Sequence, residues 1–508
     1  MNKRSVGIAL SYVNSFLNLV TGLFLSSFLL RQTGAVDYGI YQTVSSFVNY
    51  LVLLEFGTGT VMIRNISVCR SRNASKEEIH RNISTVWSIC IMLSALIVAV
   101  SVVFYCFFDV VYANSLTHKQ IIYGKNIFIF ATINLVVSFI WQTLKSVTLA
   151  FEDYAFSSKQ SIVKIIIRTT VLLLAVSFVK KAIVIAAVDA LLGIVIAVYT
   201  YIHCVRKFRI KIGFSGFDKL ILKAALPLCL AVFLQAILTQ ANNNVAKFII
   251  GVKMLPEIVS LYSVALYIES MFNMLTSLPI GMYAPQTAKV MNKAEGDYKK
   301  ITDYLALSGR LISIVGGTVT FGFIAAGKPF VTILYGKEYS LAYMIAVILM
   351  LPALLYKLTA PAMNVLDVLN KRMSRSLILA VTAILNIALT IWWIDLYGIV
   401  GAAVATSVSA FVGQFVVMNI YYSRVIGIKV MYLYKKSFSG ILVYQILGAG
   451  LGYFVSSSIK NNYASFLLGG IVYIVVSFGG YILFGLNEDE DKKKKAFINK
   501  FLRKIHSK

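Results

Sequence analysis

The chain has 508 residues, 58% of them hydrophobic and only 14% charged, with a mean hydropathy of +0.79. A soluble protein of this length could not bury so much apolar surface, which leaves a polytopic membrane protein. The net charge of +27 would suggest a nucleic-acid partner in a soluble chain, but the placement of the cations excludes that partner.

Lys3 and Arg4 precede an apolar run that reaches Leu30. The run is too long for a signal-peptide core and lacks a small-x-small cleavage site, so it reads as a retained first span. Apolar segments of spanning length follow at 38–63, 83–107, 121–150, 160–179, 182–204, 219–250, 258–284, 302–326, 340–367, 374–396, 398–422, 438–458 and 464–486. With the first span they predict about fourteen transmembrane helices. An even number puts both termini on one side. With that side cytoplasmic, the inner loops and the C-terminal tail collect most of the 48 Lys and Arg, a positive-inside pattern. The expected location is a cytoplasmic membrane with both termini on its cytoplasmic side, and no nucleic acid is involved. Loops on both sides are short, which leaves no room for a catalytic domain.

The seventh span, from Ala225 to Gly251, is apolar enough to cross a bilayer, yet it carries Gln235, Thr239, Asn243 and Lys247 at intervals of four. On a helix that spacing stacks them in one stripe. Such a stripe must turn away from lipid, most simply toward a water-filled cavity. The first span repeats the pattern with Ser11, Asn14, Ser15, Asn18 and Thr21. In the second span, Tyr38, Ser46, Asn49 and Gly57 recur as Tyr262, Ser270, Asn273 and Gly281, all at an offset of 224. Six spans per half imply two lobes related as a parallel pseudo-repeat. The expected fold is therefore all-α, with lobes at 1–216 and 217–430, two extra helices within 431–486 and a basic cytoplasmic tail at 487–508. In the extra pair, Gly448 and Gly452 have GxxxG spacing, suited to close helix contact. In the tail, Phe497, Phe501 and Ile505 share one helical face opposite several cations. That pattern fits an amphipathic helix on the anionic inner leaflet or a disordered charged tail equally well.

Five cations fall inside spans: Lys145, Lys164, Arg168, Lys247 and Lys357. Charges at that depth usually face a cavity or a partner. Lys164 and Arg168, four apart, would repel one another unless an anion such as a diphosphate lay between them. Lys145 and Lys164 stand near the inner ends of their helices, where snorkelling competes with cavity lining. Arg168 and Lys357 are deeper, and Lys247 continues the polar stripe. Glu269, mid-way along the eighth span, is expected to pair with a cation such as Lys357 or to bind a coupling proton or sodium ion. Glu55 and Asp189 stand nearer helix ends and read as solvated. The five cysteines and four histidines form no metal-ligand set, and no nucleophile–His pairing appears. The sequence thus predicts a transporter without cofactor or metal, not an enzyme.

Several motifs carry a family resemblance. LYGIVGAAVATSVSAFVG (396–413) is similar to the twelfth-helix motif of bacterial polysaccharide flippases, members of the superfamily that also holds multidrug exporters and the peptidoglycan lipid flippase. The likeness extends to GAVDYGIYQTVSSF (34–47), ALPLCL (225–230), YAPQTAKVMNKAEGDYKKI (283–301), ILYGKEY (333–339) and VLNKR (368–372), in the family's order. It implies two six-helix lobes around a cavity that opens alternately to each side. The implied substrate is an undecaprenyl diphosphate bearing an oligosaccharide repeat unit, flipped from the inner to the outer leaflet for surface polysaccharide assembly. Membrane lipids, a glycan polymerase and glycosyltransferases are the partners this implies. A peptidoglycan-precursor flippase and a multidrug exporter remain the alternatives; organic-cation export would favour acidic cavity residues, and the first span carries none. The candidate cavity residues are Asn14, Asn18, Lys145, Lys164, Arg168, Gln235, Thr239, Asn243, Lys247, Glu269 and Lys357.

Overall fold

A backbone in lipid must satisfy every N–H and C=O within itself, so long apolar runs are expected to fold as helices. The computed structural model describes residues 3–208, 213, 217–294, 297–369, 371–486 and 490–491, and every regular element among them is helical. Nearly all of the tail at 487–508, with its apolar face, lies outside the described residues.

By internal packing the chain divides after Ser263. The first unit holds α1 (Lys3–Thr33), α2 (Ala35–Leu51), α3 (Thr58–Ser71), α4 (Lys76–Tyr112), α5 (His118–Ala150), α6 (Tyr154–Val179), α7 (Ile183–Phe208) and α8 (Lys219–Lys253). The division falls inside α9 (Pro256–Ala294). The second unit continues through α10 (Tyr298–Tyr335), α11 (Ser340–Leu358), α12 (Ala362–Val368), α13 (Arg372–Ala410), α14 (Met418–Ile426), α15 (Val430–Phe438), α16 (Leu442–Ser458) and α17 (Asn462–Gly480). Because α8 packs on α2, α3 and α4, packing groups it with the first unit. The lobe boundary expected at 216/217 rests on sequence correspondence, which packing does not address.

Helix starts carry the chemistry that free N–H groups demand. Ser75 Oγ accepts from Glu78 N at the head of α4, where Glu77 and Glu78 complement the helix dipole. Thr117 and Gln120 form a capping box on α5. Asp218 caps α8, Asp297 caps α10 and Asn461 caps α17 through side-chain oxygens.

Eleven stretches among the described residues are long and apolar enough to cross a membrane, and the bent pair α15–α16, angled at 53°, adds a twelfth. One of the eleven, Ser374–Ile426, spans 53 residues and is divided at Gly398, whose φ of 59° and ψ of −142° interrupt the helix. A backbone angle of that kind is open to glycine and almost nothing else, so this stretch makes two crossings. With that division the candidate spans are roughly consistent with the expected count of about fourteen. The GxxxG pair also behaves as expected: a Cβ at Gly452 would meet the Gly469 carbonyl of α17 at 2.8 Å, so only glycine admits that approach.

The first unit's core lies between α4 and α5, where Phe108, Tyr112, Phe128 and Phe139 are buried together with Ile97 and Ile127. A second cluster in that unit joins Val61, Ile66, Ile83, Val86 and Val147. The second unit has its own cluster around Leu305, Val365, Leu366 and Leu433.

A candidate functional site in the first unit

The second span does not run straight. After α2 the chain makes a tight 3-10 turn, Val52–Glu55. Phe56 (φ 48°) and Gly57 (φ 66°) are then both left-handed before α3 begins at Thr58. The left-handed region costs a residue with a Cβ about 1–2 kcal/mol. Phe56 offsets that by stacking on Phe233 of α8, with ring centroids 4.0 Å apart and planes 14° apart. At Gly57 a Cβ would run into Val232 of the same helix, so α8 presses directly on the break. Irregular backbone at membrane depth is tolerated where it lines a polar cavity, and one is present here.

A cleft of about 660 Å³ opens at the break. Its walls include Glu55 from the turn, Asn49 from α2, Gln142 and Lys145 from α5, and Gln235, Thr239 and Gln240 from α8. Two residues of the predicted stripe thus line it together with one predicted cation. The Thr239 hydroxyl donates to the Gln235 backbone carbonyl one turn earlier at 2.8 Å. Asn243, one turn on, is exposed.

Lys247 departs from the expectation. It is 8% exposed, and its Nζ donates to Gln42 Oε1 on α2 at 2.6 Å. The reason is the helix period. At 3.6 residues per turn each four-residue step advances about 40°, so Lys247 stands roughly 120° around α8 from Gln235. The stripe winds out of the cleft and into the α2 contact before it ends.

The sequence pattern of the family described as "Polysaccharide biosynthesis protein" matches residues 6–291, more than half of the chain. This chain belongs to that family. No curated protein matches it by sequence. Its fold is similar to that of a lipid II flippase MurJ solved in an inward closed conformation, with a TM-score of 0.67 at 18% identity, covering 93% of this chain and 99% of that one. It is also similar to a multidrug resistance MATE family transporter of the MOP superfamily in an inward-facing conformation, with a TM-score of 0.59 at 14% identity over 85% and 99% of the two chains. At these identities the likeness is one of fold. This polysaccharide biosynthesis protein is a multi-pass membrane protein with the architecture of flippases and exporters, as its motifs implied.

The remaining charges of the family member fall in three places. Arg168 on α6 grips Asp189 on α7 through two parallel bonds, Nε to Oδ1 at 2.5 Å and the second guanidinium nitrogen to Oδ2 at 2.8 Å. Asp189 is therefore a partner and not merely a solvated acid, because α7 packs on α6 and brings it against Arg168. Lys145 and Lys164 both lie over the Trp141 ring, 5.2 and 4.1 Å from its centroid, and Lys145 Nζ donates to Ser161 Oγ at 3.2 Å. In the second unit, Glu269 accepts from Asn273 Nδ2 at 2.8 Å, with Lys357 within electrostatic reach. On α1, which packs on α6 and α2, Asn18 Nδ2 donates to the Asn14 carbonyl at 3.2 Å. The side chain of Ser11 lies outside the described residues.

The structure thus gathers Lys145, Gln235 and Thr239 at one cleft, with Lys164 sharing the Trp141 ring with Lys145 and Arg168 paired to Asp189. Asn14, Asn18, Asn243, Lys247, Glu269 and Lys357 do not line it. Sequence reasoning read Glu55 as a solvated acid near a helix end and missed Gln142 and Gln240. The signal for Glu55 was present: Gly57 and Gly59 follow it inside an otherwise apolar span, a break signature that reads equally as a repeat match. Among the described residues no group of three or more His, Cys, Asp or Glu could hold a metal ion.

Proposed function

We propose that this protein is an alternating-access flippase for lipid-linked oligosaccharide repeat units. It carries an undecaprenyl-diphosphate-linked glycan from the inner to the outer leaflet of a bacterial cytoplasmic membrane, with both termini cytoplasmic. The observation that carries the reading is the polar cleft at the α2–α3 break. Amides from Asn49, Gln142, Gln235 and Gln240 and the hydroxyl of Thr239 suit sugar hydroxyls, and Lys145 suits an anion. Glu55 supplies an acceptor on the same wall. The family match and the flippase-type fold support this reading, and the inward bias of Lys and Arg supports the orientation. Glycosyltransferases that make the lipid-linked unit and a polymerase that consumes it are the partners this function requires.

An anionic headgroup moving outward in a cell with a negative interior gains about 2.3 kcal/mol per charge per 100 mV, which can drive transport without a coupling ion. The test is flipping of a fluorescent lipid-linked oligosaccharide in proteoliposomes with an imposed potential. Transport should rise with inside-negative potential and fall in Gln235→Leu/Thr239→Val. A folded protein that moves no lipid-linked glycan, or whose rate ignores both the potential and the cleft substitutions, would sink the proposal. Transport of the peptidoglycan precursor alone would assign it instead to that branch of the superfamily.

A further inference from the structure

Three cations, Lys145, Lys164 and Arg168, and one carboxylate, Asp189, stand on α5, α6 and α7 where these helices pack. Asp189 commits both oxygens to Arg168. Its field reaches Lys164, but among the described residues neither lysine has a carboxylate partner. Two like charges, both partly buried, are thus held on one indole ring. The ring quadrupole attracts each only modestly, a small return for crowding two ammoniums at membrane depth. Snorkelling would have separated them toward the headgroups. Instead they converge.

The groups around them are mostly donors. Trp141 Nε1–H is buried and has no acceptor among the described residues. Ser161 offers one oxygen to Lys145. Two ammoniums and an indole N–H with so few acceptors call for an anion that presents several oxygens at once. Lys145 and Gln142, the neighbour of Trp141, also line the cleft, which gives such an anion a way in.

We propose that Lys145, Lys164 and Trp141 form a phosphoryl-binding site beside the cleft, with the Arg168–Asp189 pair fixing α6 to α7 behind it. The chemistry is shared by the diphosphate of a lipid-linked sugar and the phosphodiester headgroup of an ordinary anionic phospholipid. Assigning the first of these rests on the flippase reading above; the site itself does not.

Trp141 is its own reporter. The chain has four tryptophans, and Phe at Trp87, Trp392 and Trp393 leaves Trp141 as the sole emitter in the full-length protein. Inorganic pyrophosphate and farnesyl diphosphate should each give a saturable change in its fluorescence in bilayers of phosphatidylcholine. Lys145→Gln/Lys164→Gln should weaken the apparent affinity by about tenfold or more, the loss of charge-assisted bonds. Lys145→Arg/Lys164→Arg should retain binding, which separates lost charge from lost fold. No response in the folded reporter protein, or a diphosphate response that survives the Gln pair, overturns the site. In bilayers containing phosphatidylglycerol, a response that diphosphate cannot displace keeps the phosphoryl chemistry but overturns the link to a transported diphosphate. Glycan flipping is read separately: a protein that binds diphosphate yet moves no lipid-linked glycan leaves the site standing and sinks the flippase proposal.

Discussion

The α2–α3 span and α9 share Tyr, Ser, Asn and Gly at four positions offset by 224, yet one is broken and the other continuous. At the matched serines the local bonding is the same: Ser46 Oγ donates to the Thr43 carbonyl and Ser270 Oγ to the Tyr267 carbonyl, each at 2.7 Å. The paired glycines differ. Gly57 has a φ of 66° and sits against Val232, whereas Gly281 is helical and a Cβ there would meet nothing within 4 Å. Where Glu55 ends the turn in the first, Pro279 stands in the second, and α9 runs through it. Glycine permits a break; the helix packed against it decides whether one forms. In the first unit α8 supplies Val232 and Phe233 at that place, and the break exposes a carboxylate and a polar cleft.

Substitutions can test that contrast. The largest effect is expected from Gly57→Val, which combines a β-branched residue at positive φ with a collision at Val232. A loss of about 3 kcal/mol or more should appear in thermal melting of the purified protein, with loss of flipping. A variant that melts like the parent would show that the break does not depend on glycine. Next come the two acids. Asp189→Asn strands Arg168 and should cost on the order of 2 kcal/mol, less than a fully buried pair because the Arg168 side chain is 34% exposed. Glu269→Gln keeps an oxygen for Asn273 and should cost under about 1 kcal/mol. Equal losses in the two would erase the distinction between the units. Lys247→Met removes a buried cation that has a neutral amide for a partner, so stability should change by no more than about 1 kcal/mol and flipping should persist. Abolished flipping with intact melting would return Lys247 to the transport path. The smallest effect carries the opposite sign: Gly281→Ala should stabilise by about 0.5–1 kcal/mol, since the position is helical and unobstructed.

Much of the site was legible because polar residues in an apolar span are chemically conspicuous. Lys145, Gln235 and Thr239 stand out on those grounds alone and do meet at the cleft. Glu55 and Asp189 are just as conspicuous, but neither the cleft beside Glu55 nor the Arg168 partner of Asp189 can be read from span ends. Neither the turn at Val52–Glu55 nor the packing of α7 on α6 is visible in a hydropathy profile.

The sequence by itself determined the class of the molecule: an all-helical, multi-pass membrane chain of about fourteen crossings, with a family signature and a polar stripe on its seventh span. Those properties are local, set by runs of apolar side chains, by caps and by the helical period. Tertiary structure alone decided which part of the stripe faces the cleft and which part, at Lys247, is buried against Gln42. It also decided that Asp189 closes on Arg168 and that Lys145 and Lys164 share Trp141. Each of these depends on which neighbouring helix arrives at a given height and angle, and a charge at membrane depth takes whatever partner that helix brings.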